Sequence, residues 1–462
     1  MPPSSAPPAP APAPGNRPAE SVSYARRLGL FSGTMAVIGG IIGSGIFLNL
    51  AIVAARVGTA SLTLLAWIIG GIVALLGAFI YGELAARNPR VGGGYAYLRD
   101  AFGPLPAFLY AWALLLIMAT GAIAAVAFTF ASYAGALFGI PERALPFVAG
   151  GAILFLTAIN YLGVTPAAWT QNVFTILKLA ALAVLIVAGL TLPVSAAAPL
   201  PAATGLRPPM GFGEVLLALS TAFVPVLFAY GGWQQTNFIA EELIEPERNL
   251  PRALVLGVLG VVTVYLLANV AYLRALGVTG LAQSTAPAAD TMTAVLGSGG
   301  RRLISVGILA STFGFLDLVI MVSPRVYQAM AADGLFFASF ARLHPRFRTP
   351  VTAIIAQGLW ACLLLATRSY GQLLDYVTFA DWIFFGATAA TLVVHRRQER
   401  AGGARAGFRL PGYPWTMALF ILAAIYVVIG STRSNPGNAA RGAALLAAGV
   451  PVYLLWSRRR RG

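Results

Sequence analysis

The sequence has one cysteine, one lysine and two histidines in 462 residues, and only 10% of it is charged. Cys362 falls inside an apolar run, so no intramolecular disulfide can form. His344 and His395 have no cysteine or carboxylate cluster at ligand spacing, and no metal site is read here. The single lysine, Lys178, stands in TILKLAA, which lacks the Gly-Lys-Ser/Thr of a phosphate-binding loop, so nucleotide hydrolysis is excluded. No apolar run carries arginines at three-residue spacing, which argues against a voltage sensor. No cofactor is expected, and no enzyme motif is present.

What is abundant is apolar surface. The chain is 58% hydrophobic with a mean hydropathy of +0.79, far above a soluble globular protein. Crossing a hydrocarbon core about 30 Å thick takes roughly 20 helical residues. Runs of about that length recur at 28–50, 61–84, 106–136, 145–163, 168–192, 214–239, 253–276, 303–330, 350–366, 372–394, 413–431 and 440–456. The reading is an all-α integral membrane protein of twelve spans, its surface facing the lipid bilayer. With the N-terminus inside, inside segments hold 21 basic residues and outside loops 9, so both termini are expected in the cytoplasm of a plasma or inner membrane. The net charge of +16 sits at helix ends rather than in one patch, which favours anionic lipid over nucleic acid as its partner. MPPSSAPPAPAPAPGN at the start is Pro/Ala low complexity; residues 1–25 are expected to be a disordered arm, 26–457 a single transmembrane domain and 458–462 a basic tail.

GGIIGSGIF (39–47) places four glycines within two helical turns of the first span. Each glycine costs a helix interior about 1 kcal/mol against alanine. Two readings fit this segment alone: Gly39 and Gly43 as a small-residue face for a packed neighbour, or a break in the helix. FVPVLFAYGGW adds Pro225, Gly231 and Gly232 midway along the sixth span. Interruptions in the first and sixth spans are the pattern of a 5+5 inverted-repeat, leucine-transporter-like fold, with repeats at 28–192 and 214–394 and additional helices at 411–457. Unpaired backbone is tolerated in a bilayer only where it lines an enclosed cavity, so the two breaks should face each other around a ligand. A half-helix starting near Ser44 offers N–H groups to a carboxylate, and half-helices ending near Ile42 and Ala229 offer carbonyls to an ammonium. An α-amino acid carries both groups.

At these residues the sequence resembles the amino acid, polyamine and organocation superfamily, and within it the L-type amino acid transporter branch. The matching stretches are GGIIGSGIF, GELAARNPRVGGGYAYL (82–98), FAYGGWQQTNFIAEELIEPERNLPRAL (228–254), SPRVYQAMAADGLF and HPRFRTP (within 323–350). The resemblance implies a secondary transporter of L-amino acids, neutral ones expected, with the substrate held at Ile42, Gly43, Ser44, Gly45, Phe228 and Ala229. It also implies that Phe228 closes over the substrate and that Gly231, Trp233 and Trp382 stand at or near the side-chain pocket; Asp381, next to Trp382, is a further candidate substrate contact. Lys178, near the bilayer centre, costs about 2.5–3.5 kcal/mol to place there and needs partners. The resemblance implies that it replaces the sodium of coupled relatives, reaching carbonyls near Ile42 and hydroxyls of Ser311 or Thr312.

Asp317 and Asp381 depart from the L-type pattern, which usually has asparagine at both. A buried carboxylate is a cation's partner or a proton carrier. Asp317 is a possible partner of Lys178, and Asp381 a possible selector of amines. Glu83, Glu241 and Glu242, near inside helix ends, read either as interfacial charge or as intracellular gate residues with Arg325. The animal L-type proteins hold a glycoprotein through a cysteine after the third helix; 137–145 has no cysteine here, so no disulfide-linked heavy subunit is expected and the protein is expected to act as a monomer. The competing functions are a polyamine or cationic amino acid permease, a channel, and an amino acid sensor without transport.

Overall fold

The computed structural model describes residues 23–194, 211–366, 370–403 and 405–459. Residues 1–22 of the expected arm and 460–462 of the basic tail therefore lie outside the described residues. The described chain is helical, with an isolated backbone bridge between Leu28 and Leu243 in place of any named strand.

The first apolar run forms α1 (Leu30–Ile41) and α2 (Gly45–Val57), bent by 40° at the residues between them. Gly58, left-handed at φ 72°, ends α2, and the Thr59 hydroxyl caps α3 (Ala60–Arg87) by accepting from the Leu62 N–H. A short helix, α4 (Gly94–Phe102), leads into α5 (Pro104–Ala113), which continues through one π-helical stretch, Leu114–Met118, into α6 (Ala119–Phe138). Then come α7 (Leu145–Tyr161), α8 (Val164–Thr191) and α9 (Phe212–Tyr230). After α9 the chain turns at Gly231 and Gly232 and runs on as a 3₁₀ helix, Trp233–Glu242. The second half comprises α10 (Pro246–Gln283), α11 (Pro287–Val322), α12 (Pro324–Ala332), α13 (Ala338–Ala341), α14 (Val351–Ala366), α15 (Tyr370–Arg400), α16 (Trp415–Ser434) and α17 (Pro436–Arg459).

Among the described residues, ten helical segments are long and apolar enough to cross a membrane, and eleven if α1 and α2 make one span. The ninth expected span, 350–366, corresponds to α14, whose 16 residues fall short of the roughly 20 that a perpendicular crossing needs. Apolar side chains on the outer faces, such as Phe147 at 81% and Phe155 at 58% exposure, suit lipid rather than water.

Helices α1 and α2 pack against α10, α8, α9 and α11, while α3 runs along α10 and α8 along α11. Small residues permit the closest approaches. A Cβ at Gly39 would overlap the Gln171 side chain, and one at Gly45 would sit 2.8 Å from the Cβ of Ala229. Tightest against backbone is Gly232 at φ 106°, where a Cβ would stand 2.1 Å from the Gly40 carbonyl oxygen. The chain at the end of α9 thus lies directly on α1, and only glycine allows both the backbone angle and the contact.

Candidate functional site

The site is built where two helices are interrupted. Ile42 leaves the helical region at ψ 88°, and Gly43 donates back to the Ile41 carbonyl at 2.9 Å. The N–H groups of Ser44 and Gly45, at the start of α2, have no backbone acceptor among the described residues. In α9, the last helical turn closes with Gly231 donating to the Phe228 carbonyl at 3.2 Å, after which ψ swings to 164°. Amide donors of α2 and carbonyls of α1 and α9 therefore meet at one place, with the helix-dipole signs that suit a carboxylate and an ammonium respectively.

A cavity opens there. Gly43, Ser44, Gly45, Phe228, Ala229, Gly231, Asp381 and Trp382 all line it, joined by residues of the π-helical stretch and of α6. Two expected residues do not line it. Ile41, the last helical residue of α1, lines the wall instead of Ile42, whose carbonyl points the other way. Trp233 is buried behind the wall, with its ring 4.9 Å from that of Tyr81 and 5.6 Å from that of Phe385, because the 3₁₀ turn rotates it away from the opening. Phe385 itself lines the cavity beside Trp382, at 5.4 Å between ring centres.

Behind the break sits Lys178, fully buried on α8. Its ammonium donates to the carbonyls of Ile42 at 2.7 Å and Gly39 at 3.1 Å. The Ser311 hydroxyl donates to the same Ile42 oxygen at 3.2 Å. Thr312 does not join them; its hydroxyl bonds back to Ile308 and Leu309 within α11. Asp317 forms no ion pair with Lys178 among the described residues. One of its oxygens accepts from the Asn160 amide at 2.9 Å and the other has no hydrogen-bond partner.

The acidic residues proposed for a gate separate into three roles. Glu242 pairs with Arg325 at 2.8 Å, both side chains 1% exposed. Glu241 instead accepts the Val91 N–H at 3.0 Å. Glu83 is fully buried and holds Arg87, Arg396 and the Leu410 N–H, all on other partners than Arg325. The N-terminal segment covers the Arg325 pair: the Arg27 and Leu28 N–H groups donate to the Glu242 carbonyl, and the Tyr24 ring lies 6.0 Å from the Arg325 guanidinium.

Tyr265 on α10 escapes any sequence signal. Its hydroxyl lies 3.1 Å from the Ile41 carbonyl and 3.2 Å from the Ala229 carbonyl, so one side chain touches the ends of both interrupted helices.

Comparison with known proteins matches residues 28–450 to the amino acid permease family. The chain belongs to that family. It is 33% identical to the large neutral amino acids transporter small subunit 2 of Mus musculus, over 94% of this chain and 81% of the relative. To the b(0,+)-type amino acid transporter 1 of Homo sapiens it is 32% identical, over 90% of this chain and 85% of the relative. This permease is accordingly a multi-pass membrane protein of the amino acid transporters, and not an enzyme.

Proposed function

We propose that this permease is a secondary transporter that carries L-amino acids by alternating access, without sodium, by exchange or proton-linked uptake. One observation carries the reading: unpaired N–H groups of Ser44 and Gly45 face the same cavity as the carbonyl-bearing ends of α1 and α9. A zwitterion satisfies both sets at once. Ile41, Phe228 and Ala229 take its ammonium and Ser44 and Gly45 its carboxylate, while Trp382 and Phe385 bound its side chain. Phe228 closes the outer path, and the buried Glu242–Arg325 pair the inner one. Sodium independence follows from Lys178, whose fixed positive charge occupies the carbonyls a cation needs.

The substrates expected from the resemblance are neutral. Asp381, the ionisable residue of the cavity wall, favours a second reading in which the substrate also carries a cation. Both termini face the cytoplasm of the cell membrane. The murine relative is named a small subunit; here the lone cysteine lies within α14, which supports action as a monomer without a disulfide-linked partner. Reconstitution of the purified protein into liposomes, followed by counterflow of labelled amino acids with and without sodium, tests the proposal. Saturable exchange that is unchanged when choline replaces sodium is the expected result. Uptake that requires sodium overturns the assignment of Lys178, and ligand binding without any flux overturns transport in favour of a sensor.

A further inference from the structure

The cavity between the two breaks is lined by backbone, by apolar side chains and by the uncharged polar residues Ser44, Gln234, Gln235 and Thr378. Asp381, on α15, is the ionisable residue among its described lining residues. No hydrogen-bond donor or ion-pair partner of its carboxylate occurs among the described residues, and no arginine or lysine stands close enough to offset its charge. The titratable groups within its field are the phenols of Tyr81 and Tyr110, which bring no positive charge. A carboxylate so placed is costly to ionise unless a counter-charge arrives with the ligand.

A zwitterion does not supply that charge. Its carboxylate is met by the Ser44 and Gly45 amides and its ammonium by the carbonyls at the ends of α1 and α9, so those two charges are already matched. Asp381 comes from a different helix and stands in the wall with Trp382 and Phe385, the part of the cavity left for the side chain. A side chain that ends in a cation leaves no charge in the site unmatched. Resting on the proposal that this cavity holds amino acids, we infer that Asp381 is its specificity-determining residue and selects α-amino acids with a cationic side chain, such as lysine, ornithine and arginine, over leucine.

The full-length protein in liposomes tests this by counterflow of labelled lysine, ornithine, arginine and leucine, in the native form and as Asp381→Asn, at neutral and mildly acidic pH. The same two proteins in detergent are tested for thermal stabilisation by each amino acid. The native protein is expected to exchange lysine at least about tenfold more efficiently than leucine, and Asp381→Asn to lower the lysine-to-leucine ratio by at least about tenfold, the cost of losing one desolvated charge pair. An unchanged ratio overturns the inference. So does a native preference for leucine with acid-stimulated uptake that Asp381→Asn abolishes, which makes Asp381 a proton carrier. If no amino acid is exchanged, the transport reading fails by itself. Stabilisation by lysine but not leucine, lost in Asp381→Asn, then still supports the carboxylate's role, and its absence overturns that as well.

Discussion

The ammonium of Lys178 lies 2.7 Å from the carbonyl oxygen of Ile42, the first residue past the end of α1. A positive charge from α8 thus holds the chain in the bend that α1 and α2 share, at a point no water reaches. Removing it leaves two buried carbonyls, of Gly39 and Ile42, short of their charged donor, and hydrogen bonds to a charged group contribute about 1.5–3 kcal/mol each. Lys178→Met is expected to lower exchange at least about tenfold and to lower the melting temperature in detergent. Sodium, titrated over the variant, is expected not to restore exchange, since Asp317 is engaged with Asn160 rather than poised to complete an ion site. Recovery by sodium would show that the site is a vacated cation site rather than a structural strut.

The Glu242–Arg325 pair invites a different experiment, because both side chains are 1% exposed. Breaking a buried pair from one side strands the other charge, at about 3–5 kcal/mol, while replacing both partners by apolar residues is often neutral. Arg325→Met alone is expected to destabilise strongly. Arg325→Met with Glu242→Leu is expected to recover most of the melting temperature and yet exchange amino acids poorly, since an apolar plug does not reopen as an ion pair does. Full exchange in the double variant would remove the pair from the gate.

Much of the site was legible in the sequence because glycine and proline report on backbone directly. Gly39 to Gly45 and Pro225 to Gly232 could be picked out as weak helix, and the structure brings these two stretches together, with Gly232 against Gly40. Side-chain direction was less legible. Ile42 and Ile41 differ in sequence by nothing, and which carbonyl faces the cavity depends on the ψ of 88° at Ile42. Trp233 stands one residue past a left-handed glycine, so its phase could not be carried over from α9. Of the partners of Glu83, Arg87 is one helical turn away and legible from spacing, but Arg396 and Leu410 lie more than three hundred residues away, where spacing carries no signal.

Tyr265 was illegible for another reason: it lies in an unbroken stretch of an apolar helix, where a tyrosine is indistinguishable from core packing. Its ring does pack, 5.1 Å from Tyr230 and 5.6 Å from Trp67. The hydroxyl is what reaches the Ile41 and Ala229 carbonyls. Tyr265→Phe keeps the ring and removes that contact, worth about 0.5–1.5 kcal/mol. Half-saturating substrate concentration is expected to change by roughly two- to tenfold with little effect on stability. A large loss of melting temperature with unchanged affinity would assign the hydroxyl to folding alone.

Arg56 and Pro225 are linked through a third residue. Proline has no N–H, so within α9 the carbonyl of Thr221, four residues earlier, loses its helical donor. Arg56 of α2 donates to that oxygen, and Asn49 of the same helix donates to the Pro225 carbonyl at 2.9 Å. The outer halves of the two interrupted helices are therefore pinned to each other by the defect that proline creates. Pro225→Ala restores an N–H that can satisfy Thr221 from within α9, which makes the arginine's contribution redundant. Arg56→Met is accordingly expected to destabilise the native protein by more than it destabilises Pro225→Ala, with a coupling of about 1 kcal/mol in a double-mutant cycle read by thermal or urea unfolding in detergent. If the two changes add without coupling, the arginine's bond to Thr221 is incidental, and the pairing of α2 with α9 rests on the Asn49 contact and the packing of Gly45 against Ala229.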